Sequence, residues 1–303
     1  MHIFYNDQYV APTYAFETTR KSKLIAEQIG LDKLIDPSLG VAHAIEEISL
    51  VHDIEYIESL QSGTPNYLAE SNNFKWDSGI WSMAVNSTAG ILAACETAYR
   101  GIDKLSLPSI ISGSLSSGLH HAHTKGGAGF CTVNGLAVAA NAFDSLRIAI
   151  LDFDAHCGGG TVEILRTLGI DNRVYQYDIS TNMFDRYEQD DKHLILMADT
   201  NEEYIQDVNM VLDFLVDWDE IDLVLYNAGV DAYPEISHNT LAHRDELVFN
   251  KCVSTTTPCV FALAGGYTEH QDMNSLVESH MATIYAAQSA EIKPSKGTVD
   301  LQA

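Results

Sequence analysis

Short apolar runs alternate along this chain with longer stretches in which apolar residues recur every three or four positions. The short runs predict strands at His2–Tyr5, Pro108–Ser112, Arg147–Leu151, Arg173–Ile179, His193–Met197, Ile221–Tyr226 and Cys259–Ala264. The helical spacing predicts helices at Thr18–Ile29, Asp77–Tyr99, Asn134–Phe143, Thr161–Leu168, Glu202–Asp217, Leu241–Val253 and Met273–Ala287. Val41–Leu60 carries the same spacing over a length better filled by more than one helix. Gln61–Lys75, polar and interrupted by Gly63 and Pro65, reads as a loop, Ser180–Asp191 as an irregular connection, and the tail from about residue 290 as frayed. Strands that alternate with helices imply an α/β fold: one central, mostly parallel sheet with helices on both faces. No linker or internal repeat divides the chain, so residues 1–303 read as a single domain.

Composition narrows the partners. Seventeen Lys and Arg stand against 42 Asp and Glu, a net charge of −25. Such a surface repels nucleic acid and anionic membranes and attracts cations. It equally serves solubility. The five cysteines, Cys95, Cys131, Cys157, Cys252 and Cys259, are odd in number and contain no C-x-x-C pair. That speaks against a disulfide framework or zinc knot and for a reducing compartment. The N-terminus lacks a basic region followed by an apolar one, and no run is apolar enough to span a bilayer. The expected location is cytoplasmic.

Chemistry gathers at the carboxyl ends of the predicted strands, where parallel α/β sheets place their sites. After Leu151 come Asp152, Asp154 and His156, then Gly158-Gly159-Gly160. If the strand continues, the two acids and the histidine alternate onto one side, a metal-ligand geometry. A strand end with solvated acids is the plainer alternative. Ser112–Cys131 is dense in glycine, serine and histidine, which lets backbone approach a ligand closely. Ile221–Tyr226 runs into Asp231, and Cys259–Ala264 runs into Gly265-Gly266-Tyr267.

Four motifs stand in order over roughly residues 15–285: Gly118-Leu119-His120-His121-Ala122 with Gly129-Phe130-Cys131, Asp152-Phe153-Asp154-Ala155-His156, Ala228-Gly229-Val230-Asp231, and Ala264-Gly265-Gly266-Tyr267. Together they resemble the histone deacetylase superfamily, which includes bacterial acetylpolyamine amidohydrolases and acetoin-utilisation proteins. The resemblance implies an arginase-like fold, a single deacetylase-like catalytic domain, and hydrolysis of an acyl-amine. It implies Zn2+, or Fe2+, held by Asp154, His156 and Asp231, with a position left open for water and substrate. His121 would be the principal acid-base residue and His120 an electrostatic partner oriented by Asp152. Tyr267 would donate to the oxyanion. Gly129 and Phe130 would wall the acyl channel, with Phe184 opposite, and Gly265 and Gly266 would keep the backbone low beneath Tyr267. A structural K+ would sit near Asp152, Asp154 and His156, with Asp178 beside it. Arg20 matches an arginine near an internal channel or else is a solvated helix residue, and His123 falls outside the motif pair as a loop histidine.

The chain departs from this pattern at His156-Cys157-Gly158-Gly159. The family commonly carries Asp or Asn where Gly159 stands, as a partner for His121. Its absence implies that another group substitutes, or that the rate is lower, or that the substrate is activated. Cys157 reads as an inert packed thiol, with oxidation as the alternative. Gly158 stands where a two-metal ureohydrolase needs a bridging acid, which argues against that chemistry. The expected function is therefore a metal-dependent amidohydrolase acting on a small acylated amine or acyl-lysine. The alternative is a catalytically weak metal-binding protein that recognises acyl-amines.

Overall fold

The computed structural model describes residues 1–13, 17–100 and 109–292. The tail expectation from Pro294 onward lies outside them. Seven strands form one sheet: β1 (His2–Phe4), β2 (Ile111–Ser114), β3 (Ile148–Asp152), β4 (Val174–Ser180), β5 (His193–Met197), β6 (Leu223–Gly229) and β7 (Cys259–Ala264). Every neighbouring pair is parallel, in the order β1-β2-β7-β6-β3-β4-β5. The strand order turns back on itself between β3 and β6, and the crevice at such a switch point is where open α/β sheets bind ligands.

The helices are α1 (Glu17–Ile29), α2 (Val41–Val51), α3 (Ile54–Ser62), α4 (Asn66–Ala69), α5 (Gly79–Arg100), α6 (Gly135–Ala142), α7 (Gly159–Leu168), α8 (Asn201–Met210), α9 (His238–Thr255) and α10 (Met273–Ile292). They cover both faces of the sheet. Ile148 and Ile150 of β3 pack into a core with Ile48 of α2 and Ile91 of α5, while Ala149 and Leu151 pack into a second with Phe249 of α9 and Ile284 of α10. A strand covered on both faces needs apolar residues at every position, and β3, β6 and β7 are buried throughout.

Two spans differ from expectation. The loop expected at Gln61–Lys75 contains the short helix α4, which begins after Pro65. The helix expected at Glu202–Asp217 ends at Met210, and Val211–Leu215 continues as one wider π turn. No helix among the described residues is long and apolar enough to cross a membrane.

A buried ion pair ties α9 to the two strands that carry the acids. Arg244 Nη1 donates to the carbonyls of Phe153 (3.1 Å) and Gly229 (2.6 Å), and its Nε donates to Asp245 (2.9 Å). Asp245 also accepts from Tyr226 and from Thr283 (2.6 Å). Those carbonyls lie one residue before Asp154 and two before Asp231. Arg244→Ala would leave Asp245 as a buried charge without its cation. The expected loss is about 3–5 kcal/mol of stability, readable by urea unfolding.

Candidate active site

The carboxyl end of β3 stops at Asp152, so Asp154 and His156 leave from a turn. The period-two argument therefore holds only for Asp152, and the convergence of the other two comes from the turn that follows. Asp231 arrives two residues beyond the end of β6. One ligand-type atom from each of Asp154, His156 and Asp231 lies within 4.8 Å of the others. His156 Nδ1 stands 3.2 Å from Asp154 Oδ1 and 3.1 Å from Asp231 Oδ2. Asp231 Oδ1 accepts from the Ala155 amide (3.0 Å), but its Oδ2 is buried and makes no hydrogen bond. Burial, reinforced by Asp154, raises the Asp231 carboxyl above its usual range. An orphaned carboxylate oxygen beside an imidazole nitrogen and a second carboxylate fits a divalent metal, and the N/O donor set suits Zn2+ or Fe2+.

The histidine pair sits over this cluster, rings 3.9 Å apart. His120 Nδ1 donates to Asp152 (2.8 Å), whose other oxygen accepts from Asn227 (2.8 Å). Burial opposes a charge on His120, but Asp152 and Asp154 outweigh it and raise the group to about 10. Burial and then the His120 charge drive His121 the other way, to about 4. One ring is thus an imidazolium and its neighbour a neutral base.

His121 has the partner that Gly159 cannot supply. Asp185, from the irregular segment after β4, accepts from His121 Nδ1 at 2.9 Å. A Cβ at Gly159 would lie 2.1 Å from the Asp185 carbonyl oxygen. The missing side chain at 159 is what lets the Asp185 loop cross the start of α7. His123, expected to be an uninvolved loop histidine, donates to the same carboxylate (3.1 Å).

Gly265 has a φ of +60°, and a Cβ there would lie 2.5 Å from Asp231 Cγ, so only glycine fits against the cluster. Tyr267 follows on the rim, and burial with Asp231 nearby pushes its hydroxyl well up, leaving it a donor. Gly129 and Phe130 both take positive φ beside His121. Phe184, expected as the opposite channel wall, stands edge-on to His121 (4.9 Å) and His156 (6.0 Å) and is half-exposed. A cleft of about 730 Å³, open to solvent, is lined by Phe130, Tyr267, the acid-histidine cluster, Lys21, Tyr9 and Ser87.

The channel expectation at Arg20 is off by one residue. Arg20 is exposed, whereas Lys21 is buried and donates to the Gly265 carbonyl. Adjacent positions on α1 face about 100° apart, so the alignment of one basic residue decides which enters the cleft. Burial lowers Lys21 to about 7, against the pull of Asp231 and Asp154. Cys157 is buried and raised to about 12 by desolvation and by Asp178, the state of an inert thiol. Asp178 lies beside Asp152 in the sheet register and accepts from the Gly158 amide (2.8 Å) and Gln176 (2.9 Å).

His120, His121 and Asp154 also converge within 4.8 Å and make a second metal-capable group. Both of its imidazoles already donate Nδ1–H to carboxylates, and one carries a charge, so the group is the poorer metal site.

The histone deacetylase domain model matches residues 15–284. The chain belongs to the histone deacetylase family. Among curated relatives of this histone deacetylase family member, an uncharacterised protein of Picosynechococcus sp. is 26% identical over 248 residues, covering 77% of this chain and 78% of the relative. Histone deacetylase 2 of Arabidopsis thaliana is 32% identical over 51% of this chain and 43% of the relative. The acetoin utilization protein AcuC of Staphylococcus aureus is 24% identical over 58% of this chain and 45% of the relative. The chain thus matches less than half the length of the latter two. Among solved structures, an acetylpolyamine aminohydrolase from Burkholderia pseudomallei superposes with a TM-score of 0.74 at 18% identity, covering 96% of this chain and 99% of that one. The HD domain of HDA15 gives 0.71 at 16% identity. These likenesses establish the arginase-like α/β fold of the histone deacetylases.

Proposed function

We propose that this chain is a zinc-dependent amidohydrolase that removes an acetyl or other acyl group from an amine. The observation that carries the reading is one cleft lined by His120, His121, Asp154, His156, Asp231 and Tyr267. Asp154, His156 and Asp231 would hold the metal, Zn2+ or Fe2+. When bound, it supplies Lewis-acid polarisation of the acyl carbonyl and an acidified water. His121, neutral with its proton on Nδ1, accepts the water proton at Nε2 and returns it to the leaving nitrogen. His120, charged and held by Asp152, stabilises negative charge as it develops. The Tyr267 hydroxyl donates to the carbonyl oxygen as it becomes an oxyanion. Phe130 and Phe184 exclude water from the chain that links the amide to the outside.

A cationic amine is the favoured substrate, such as an acetylated polyamine or acyl-lysine. A hollow of about 810 Å³ shares His156, Asp231 and Tyr267 with the cleft and is lined further out by Glu235 and Glu269. With a net charge of −25, this mouth attracts cations and disfavours nucleic acid and anionic membrane. We also infer a single catalytic domain over residues 1–303 and a cytoplasmic location, from the composition. A structural K+ near Asp152, Asp154 and His156 is supported by the buried Asp178 carboxyl, which burial and Asp152 raise well above its usual range, and by the unpartnered Gln176 Oε1. The alternative, a catalytically weak acyl-amine binder, was motivated by Gly159. The Asp185 carboxylate on His121 (2.9 Å) supports the hydrolase reading over it.

The test is acyl release by the zinc-loaded protein from acetyl-lysine peptides, acetylated polyamines and longer acyl-lysines. Release should exceed that of an Asp231→Ala blank. No release from any substrate, with zinc bound stoichiometrically, would sink the hydrolase reading.

A further inference from the structure

We propose that Asp185 is the positioning carboxylate of the His121 base, and that His123 and Glu163 brace Asp185 from the side away from the cleft. The inference rests on the hydrolase reading for its catalytic meaning, and on geometry for the rest. Asp185 Oδ2 accepts from His121 Nδ1 (2.9 Å) and from the Gly160 amide in the first turn of α7 (3.0 Å). Its Oδ1 accepts from His123 Nε2 (3.1 Å). On the far side, His123 Nδ1 lies 3.7 Å from Glu163, and Glu163 is itself held by the Thr124 amide (2.9 Å). The chain His121–Asp185–His123–Glu163 therefore runs from the reacting end of the cleft to the half-exposed surface.

Three features show that this arrangement is built rather than incidental. Asp185 has a φ of +57°, a strained value that a short polar residue tolerates and that functional loops retain. The Asp185 carbonyl occupies the space that any side chain at Gly159 would need. The residue before it, Phe184, packs on His121 and accepts the Cys157 amide (3.1 Å) through its carbonyl, so the loop is pinned by two contacts immediately before Asp185.

The chemical consequence concerns one proton. A carboxylate can only accept, so the two imidazoles facing it must each present an N–H. That fixes the His121 proton on Nδ1 and leaves Nε2 as the free base toward the cleft. The charged groups facing His123 are Asp185 and Glu163, and His52 approaches its carbonyl through Nδ1 (3.0 Å). The bonds to Asp185 and then Glu163 raise His123 to about 9, which keeps it a double donor at neutral pH.

Two readouts test this in the 303-residue chain. Asp185→Ala can accept from neither imidazole and removes the charge. It should lower kcat for acyl release by about 10–100-fold, the range for outer partners of metal-site groups, with KM within about twofold. In 15N-histidine NMR spectra, the His121 signal should move from a single Nδ1–H tautomer to a mixture. If that variant does not fold, His123→Ala frees one side of Asp185 and should lower kcat about tenfold at unchanged KM. A single unchanged His121 tautomer, or kcat within about twofold of wild type in the folded variant, would overturn the proposal. A wild-type protein without acyl release would defeat the hydrolase reading instead, and the tautomer comparison would still decide the role of Asp185.

Discussion

Asp231→Ala is expected to abolish both zinc binding and acyl release while leaving the metal-free protein at least as stable as wild type. Asp231 and Asp154 are buried together, and burial with that repulsion raises the Asp231 carboxyl. A carboxylate whose folded value lies above its unfolded value costs stability once ionised. Removing it relieves that cost, so the melting temperature without metal should hold or rise. With metal the outcome reverses. Asp154 and His156 would remain as two donors where three are needed for a site with one open position. Zinc affinity should fall by more than about 100-fold, the upper end for outer partners alone. The rise in melting temperature that zinc gives wild type should vanish. His156, raised to about 10 by Asp154 and Asp231 against the effect of burial, is protonated at neutral pH without metal. Zinc must displace that proton, so affinity should weaken as the pH is lowered from 10. An Asp231→Ala protein that still binds zinc tightly and releases acyl groups would place the metal elsewhere.

His121→Ala should lower kcat by about 10²–10⁴-fold, the usual worth of a positioned acid-base group, with zinc still bound stoichiometrically. The retained metal is the discriminating part. His120, His121 and Asp154 form the competing metal-capable group. If that group held the zinc, the same substitution would strip the metal and the activity together. Equilibrium dialysis against zinc, run beside the kinetics, separates the two. A variant that keeps zinc and most of its turnover would remove His121 from the proton path.

Much of the fold was legible because its signals are local. A strand covered on both faces must be apolar at every position, so Cys259–Ala264 could be read to the residue from its own composition, and the edge strand His193–Met197 from its short apolar run. Helical spacing likewise marked α5 and α10. The acids and histidines of the candidate site were legible because they stand at the ends of such strands, where parallel sheets gather their chemistry. Even there, the sequence marked which residues meet and not how. Asp154 and His156 converge through a turn after β3 rather than along a continued strand.

The rest depends on groups brought together by close approach of segments distant along the chain. Asp185 sits in a segment with no periodicity, 64 positions from His121, and nothing next to it in sequence announces its bond. The one available hint was negative, a glycine at 159 where a carboxylate was expected. Its meaning depends on another loop passing 2.1 Å from where a Cβ would be. Lys21 rather than Arg20 enters the cleft because helix phase is set by packing against the sheet, not by the residue alone. Local pattern was enough for the sheet, most of the helices and the acids and histidines that gather beyond the strand ends. The tertiary structure decided which carboxylate holds His121, which cation reaches Gly265, and how His123 joins them, because those are steric and electrostatic facts between segments that share no local pattern.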